Sequence, residues 1–249
     1  MLNSLMPSCE LLKSESPLTS YPNGSQLRDV LPEVYCLFGV PQGVNYHGEC
    51  DTGIHTMLAI QYAANKGYDA LVRLGALLHD VGKGVTPTDA LPAHHKHEVV
   101  GGQVVQAMFE RVSFCDWLES EGLYAIESTR DFVVYCATRH LALVKYRDLN
   151  YKTVLNEVMV LQGLFGDDGF DMLVRALRVC ECDKEGRMNQ LKRYLNEFQP
   201  VNDHTAMYDF WTGVYNVVRQ EGFQKDSANS QECHVARLNA VKRFMKNVF

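Results

Sequence analysis

Eight cysteines are present, yet no two stand at C-x-x-C spacing. The nearest pair, Cys180 and Cys182, suits a buried helix face and its neighbour better than a zinc knuckle. No run of roughly 18 apolar residues exists, so the sequence offers no membrane span. Met1 to Ser20 lacks the basic start and continuous apolar stretch of a secretory leader. These absences predict reduced thiols in a cytoplasmic protein with no membrane partner. A basic excess is missing too. There are 24 Lys and Arg against 30 Asp and Glu, a net charge of −6, which argues against holding nucleic acid by bulk electrostatics and leaves room only for a local basic patch. Few segments alternate with the period of two that strands need, and no internal repeat is visible.

What is present is apolar enough to fold. The 249 residues are 46% hydrophobic and 22% charged, which suits one large domain or two small ones rather than a disordered chain. Residues 1–30 are rich in Ser, Pro, Asn and Gly without periodicity and predict a poorly ordered or extended arm. From Leu31 the chain becomes regular, and residues 31–249 predict one helical body. Asp51-Thr52 caps a helix carrying Ile54, Leu58 and Tyr62 at fourfold spacing. Asp69 caps the next, with Leu71, Leu74, Leu77, Leu78 and Val81 as its apolar stripe. A loop over Gly82 to Pro92 follows. Further helices are expected over His97 to Val112 and over Glu127 to His140, the latter with Phe132, Cys136 and His140 on one face. Another is expected after Asn150 through Leu161. The next follows Asp167 or Asp168, with Leu173, Ala176, Leu177 and Cys180 inward. Two more span Asp203 to Gln220 and Gln231 to Phe249. The fold class is therefore all-α.

The nine histidines carry the functional argument. His55 lies in the first clear helix. His79 and Asp80 end the second, within Leu77-Leu78-His79-Asp80-Val81-Gly82-Lys83. His94, His95 and His97 stand where the loop enters the third, and His140 ends another. Asp183 lies one turn beyond Cys180 on an otherwise apolar face. A single histidine on such a face is usually a hydrogen-bonded core residue. Four or more imidazoles with two carboxylates, each at a helix end or on a core-facing stripe, are what a metal site inside a helical bundle requires. Imidazole and carboxylate together suit borderline-hard divalent ions such as Mn²⁺, Fe²⁺, Ni²⁺ or Zn²⁺.

The order His, His-Asp, His, Asp resembles the HD-domain metal-dependent phosphohydrolases. The flanks sharpen the likeness. Gly39-Val40-Pro41-Gln42, Tyr46-His47, Asp51-Thr52-Gly53-Ile54-His55-Thr56, Leu78 to Gly84, Pro92 with His94-His95-Lys96-His97, and Asp183 with Gly186-Arg187 resemble the C-terminal HD domain of bacterial CCA-adding enzymes, the tRNA nucleotidyltransferases. The likeness covers roughly residues 30 to 249 and fades through Glu221-Gly222-Phe223 and the final basic helix. Two departures stand out. No Gly-Ser motif with paired aspartates precedes Leu31, so CCA addition by this sequence alone is not expected. His140 is followed by Leu141 where the related domains usually repeat His-Asp.

The resemblance implies an HD-type helical bundle with a metal site in its centre. It places His55, His79, Asp80 and Asp183 around a first divalent ion (Mn, Ni, Fe, Mg or Zn), with His97 and His140 holding a second if there is one. Lys83 and Arg187 would face a substrate phosphate. The implied function is a phosphodiesterase or phosphatase acting on nucleotides or RNA-end phosphates, such as 2′,3′-cyclic or 2′-phosphates, by attack of metal-bound hydroxide. Asp80 and Lys83 would be the catalytic groups. The rival implication is a catalytically weak tRNA- or nucleotide-binding accessory module. A purely structural bundle is disfavoured, because six buried polar groups rarely converge without a ligand.

Overall fold

The computed structural model describes residues 28–43, 47–187, 204–222 and 230–249. The expected arm over 1–30 lies outside them, apart from residues 28–30, which are helical. Among the described residues the structure is all-α. The only extended pairing is an isolated bridge between Pro41 and Asp51.

The helices are α1 (Pro32–Tyr35), α2 (Thr52–Asn65), α3 (Ala70–Leu78), α4 (His97–Phe109), α5 (Val112–Ser120), α6 (Ile126–Val144), α7 (Tyr151–Phe165), α8 (Gly169–Glu185), α9 (His204–Gln220) and α10 (Ser230–Val248). By spatial proximity the chain divides into two compact units. One runs to His140 and resumes at Arg178; the other comprises Leu141–Leu177 and the chain from Asn202.

In the first unit, short polar side chains start the helices that carry the site. Asp51 accepts from the Ile54 amide at 2.9 Å and from the Gly39 amide at 2.7 Å, fixing the start of α2. Asp69 accepts from Val72 N at 3.0 Å and starts α3. Of the expected stripe, Leu74, Leu77, Leu78 and Val81 are fully buried and Leu71 is half-buried. The Ile54, Leu58, Tyr62 stripe of α2 is not the inward one, since Ile54 is 44% exposed. That helix buries His55 together with small residues such as Gly53, Ala59 and Ala63. Small side chains let neighbours approach closely. A Cβ on Gly186 would lie 2.7 Å from the Ala59 Cα, so the C-terminal end of α8 rests on the α2 backbone. Between them Glu181 accepts from the Tyr62 hydroxyl at 2.8 Å and the Tyr68 hydroxyl at 2.9 Å. Burial first, and then these hydrogen bonds, push both phenols up, so both stay protonated donors. This pinning sets α2, which carries His55, against α8, which carries Asp183.

Two boundaries differ from expectation. The segment after Gly82 is not plain loop, because Val81–Val85 and Thr88–Ala90 form 3-10 turns. The helix expected through Val112 stops at Phe109, and a separate α5 follows. Arg111 is the cause. Its backbone is extended, and its guanidinium forks onto the two Glu33 carboxylate oxygens at 2.8 and 2.9 Å. The chain then restarts and buries Phe114, Trp117 and Leu118.

In the second unit α7 is capped by Asn150, which accepts from the Lys152 and Thr153 amides. α7, α9 and α10 pack on one another. Their core includes Phe210 against Tyr146 and Trp211, whose indole donates to the Leu143 carbonyl at 2.9 Å. No described helix is long and apolar enough to cross a membrane.

Candidate metal centre

Six of the residues singled out in the sequence meet in the first unit. His55 comes from the first turn of α2, and His79 closes α3. Asp80 follows it, His97 opens α4, His140 lies on α6 and Asp183 near the end of α8. His55, His79, Asp80, His140 and Asp183 are at most 3% exposed.

Asp80 stands at the middle. Its Oδ2 lies 3.2 Å from His79 Nε2 and 3.8 Å from His55 Nε2. Its Oδ1 lies 3.1 Å from His97 Nε2 and 3.7 Å from His140 Nε2. Asp183 Oδ1 closes the first group, 3.2 Å from His55 Nε2 and 3.8 Å from His79 Nε2. The ligand atoms thus form two groups, His55–His79–Asp80 and Asp80–His97–His140, each spanning no more than 4.8 Å. The two oxygens of Asp80 face one group each.

The backbone decides which ring nitrogen is offered. His79 Nδ1 donates to the Ala76 carbonyl at 2.8 Å and His97 Nδ1 to the His94 carbonyl at 2.8 Å. His140 Nδ1 reaches the Ala137 and Cys136 carbonyls at 3.1 and 3.2 Å. With Nδ1–H committed, Nε2 of each neutral ring carries a lone pair. The Nε2 atoms of His55, His79 and His97 make no hydrogen bond although buried. Each instead faces a carboxylate oxygen at 3.1–3.2 Å, lone pair against lone pair. Two ligands each ~2.1 Å from one ion, at right angles to each other, sit ~3.0 Å apart. The residues therefore fit a divalent cation in both chemistry and spacing.

The charges agree. Burial pushes the Asp80 carboxyl up, but Lys83 and the imidazoles override it and hold it well below the usual range. Arg187 and His55 do the same for Asp183. Both carboxylates stay ionised. For His55 and His97 burial favours the neutral ring, yet the facing carboxylates raise both, which marks Nε2 as a place where positive charge is welcome. Burial lowers His140 to about 4, leaving it a neutral donor.

The two candidate phosphate contacts sit on the acids. Lys83 Nζ lies 2.7 Å from Asp80 Oδ2 and donates to Gln42 Oε1 at 3.0 Å. Arg187 Nη2 reaches both Asp183 oxygens, at 2.8 and 3.0 Å. The Arg187 side chain is 23% exposed and that of His97 10%. Both are the more open side of the cluster. His94, in the approach to α4, ties the loop at Thr86 to the Pro41 carbonyl rather than joining the cluster.

Two buried polar residues were missed in the sequence. Glu49 Oε1 lies 2.8 Å from His55 Nδ1 and 3.1 Å from His47 Nδ1, and Gln42 Nε2 donates to the same oxygen at 3.2 Å. His47, Glu49 and His55 make a third close group of ligand-type atoms. Both sit in a Gly- and Pro-bearing loop, where polar residues ordinarily face water. Gln42 belongs to the Gly39–Gln42 motif that carries the family resemblance; for Glu49 the only signal was its place between Pro41 and the Asp51 cap.

Such a cluster of ligand-type atoms at helix ends could hold a metal ion, and residues 52–153 match the HD domain family. The chain is similar to multifunctional CCA proteins. It is 33% identical over 228 residues to the one from Hahella chejuensis (strain KCTC 2396), which covers 89% of this chain and 48% of that protein. It is 35% identical over 186 residues to the one from Laribacter hongkongensis (strain HLHK9), covering 71% and 42%. The one from Neisseria meningitidis serogroup B (strain ATCC BAA-335 / MC58) is 35% identical over 164 residues, covering 66% and 36%. The chain thus spans less than half the length of these relatives. No solved structure gives a significant match.

Proposed function

We propose that the protein is a metal-dependent phosphohydrolase acting on nucleotides or RNA-end phosphates, 2′,3′-cyclic or 2′-phosphates among them. The single observation that carries this is the set of buried, unpartnered imidazole nitrogens turned on Asp80 and Asp183. His55, His79, Asp80 and Asp183 would hold a first divalent ion, and Asp80, His97 and His140 a second. Such ions supply Lewis acidity and an activated water at neutral pH.

The chain's own groups have separable tasks. Asp80 and Asp183, kept ionised, orient the attacking water and can accept its proton. Attack at phosphorus breaks the ester P–O bond, and the leaving oxygen takes up a proton. Lys83, held against Asp80, offsets charge that builds on the phosphoryl oxygens, and Arg187 at the more open edge meets the incoming phosphate. Residues 31–249 would serve as the catalytic body. The accessory reading, a tRNA- or nucleotide-binding module, draws support from the CCA-protein relatives and from Leu141 in place of a second aspartate.

One panel decides between them. Protein loaded with Mn²⁺, Ni²⁺ or Mg²⁺ is offered bis-(p-nitrophenyl) phosphate, 2′,3′-cyclic AMP, 2′-AMP and dNTPs. Metal-dependent turnover of at least one ester is expected. Metal binding without any turnover, together with salt-sensitive tRNA binding, would favour the accessory reading. Failure to bind any divalent ion would remove both metal roles.

A further inference from the structure

We propose that Glu49 is a positioning residue of this centre, one that fixes His55 as a ligand and, through Gln42, sets the place of Lys83. The inference rests on the reading of the cluster as a metal site and goes beyond its ligand set.

Pro41–Gly43 and His47–Asp51 lie back against each other, with Pro41 and Asp51 bridged. Gln42 N donates to the Cys50 carbonyl at 3.1 Å, and Cys50 adopts a left-handed backbone, φ 57°. The reversal turns the Glu49 side chain inward until none of it is exposed. A carboxylate has no reason to leave water unless its partners need it there. Glu49 Oε1 is gathered against three side-chain nitrogens, His55 Nδ1 at 2.8 Å, His47 Nδ1 at 3.1 Å and Gln42 Nε2 at 3.2 Å.

His55 differs from the other imidazoles of the cluster in this respect. His79, His97 and His140 are oriented by backbone carbonyls. His55 Nδ1 instead has a carboxylate oxygen as its nearest acceptor, at 2.8 Å, whereas the carboxylate nearest His97 Nδ1, that of Glu98, stands off at 3.6 Å behind the His94 carbonyl. A carboxylate behind Nδ1–H fixes the tautomer and ring plane and makes Nε2 a stronger donor, and removing such partners costs 10- to 100-fold in metal affinity by order of magnitude. The second arm of the network runs the other way. Gln42 is 3% exposed and has its amide orientation settled at both ends, Nε2 to Glu49 and Oε1 from Lys83. One carboxylate thus governs a ligand on one side of Asp80 and the cation that touches Asp80 on the other.

The test uses the full chain and two probe ions, Mn²⁺ for affinity and Co²⁺ for its visible absorption. The E49Q variant keeps the shape but loses the charge. Its affinity for the tighter Mn²⁺ should fall roughly 10- to 100-fold, and its Co²⁺ bands should shift. The E49D variant should lie between the two. The Q42L variant leaves His55–Glu49 in place, so its Mn²⁺ affinity should match wild type while KM for bis-(p-nitrophenyl) phosphate rises. The exposed control E110Q should change nothing. Wild-type affinity and an unshifted Co²⁺ spectrum in E49Q overturn the proposal. Should E49Q not fold, the same two readouts on E49D decide, an unchanged pair overturning it and a weakened, shifted pair upholding it. If wild-type protein takes up neither ion, it is the metal reading that has failed, and the wild-type titration shows this before any variant is made.

Discussion

Asp80 is asked to do two things with two oxygens, and this makes it the least replaceable side chain in the first unit. Replacing it with Asn keeps volume and removes the charge that all four imidazoles face. D80N should lose most bound metal and at least about a hundredfold in turnover, checked by metal analysis and steady-state rates on bis-(p-nitrophenyl) phosphate. His140→Leu removes a ligand from one group only, so it should reduce the metal content without abolishing it. Equal loss in both variants would sink the two-group arrangement. That His55, His79, Asp80 and Asp183 meet was implied by the family resemblance, and their positions at helix ends or on apolar stripes, where a charged group must find a partner, agreed with it. Glu49 and Gln42 were not legible. Their burial depends on a loop reversal at Cys50, which no periodicity records. Lys83 was read as reaching a phosphate, and the structure rests it on Asp80 and Gln42.

Elements bring these side chains within reach, and close backbone contact is how they do it. The Val81–Val85 turn crosses α4 so tightly that a Cβ on Gly82 would lie 2.5 Å from the Gly101 amide nitrogen. Backbone cannot rotate away as a side chain can. G82A should therefore cost on the order of 1–3 kcal/mol and separate Asp80 from His97, so thermal unfolding and Mn²⁺ affinity should both decline. Asp51→Ala removes acceptors for two amides at the start of α2, and a loss of about 1–2 kcal/mol is expected by chemical denaturation. Helix caps and the apolar stripe of α3 were readable because they are local. The inward face of α2 was not, since Gly53, Ala59 and Ala63 contribute little apolar signal yet permit the closest packing. α5 was missed for a similar reason: the break before it comes from the Arg111–Glu33 pair, 78 residues apart in sequence.

At the scale of the whole molecule, a ligand that binds only the folded chain stabilises it by mass action. With free metal at a hundred times Kd the gain is about 2.7 kcal/mol, which for a chain of this size raises Tm by roughly 5–10 °C. Adding a chelator to loaded protein should reverse that shift, as followed by circular dichroism, and D80N should show almost none. The all-helical class was legible from the near absence of period-two segments. The division into two units was not, because α6 and α8 each read as one uninterrupted helix while their residues fall on both sides of it.

The ligands also come from widely separated stretches of chain. His55 emerges from the ribosome roughly half a chain before Asp183, an interval on the order of ten seconds at about 5–20 residues per second. During that time four imidazoles and Asp80 can gather, but the carboxylate that closes the first group does not yet exist. If the cluster takes an ion during synthesis, a partial set of donors would make the first choice, and the finished set would decide only what is kept.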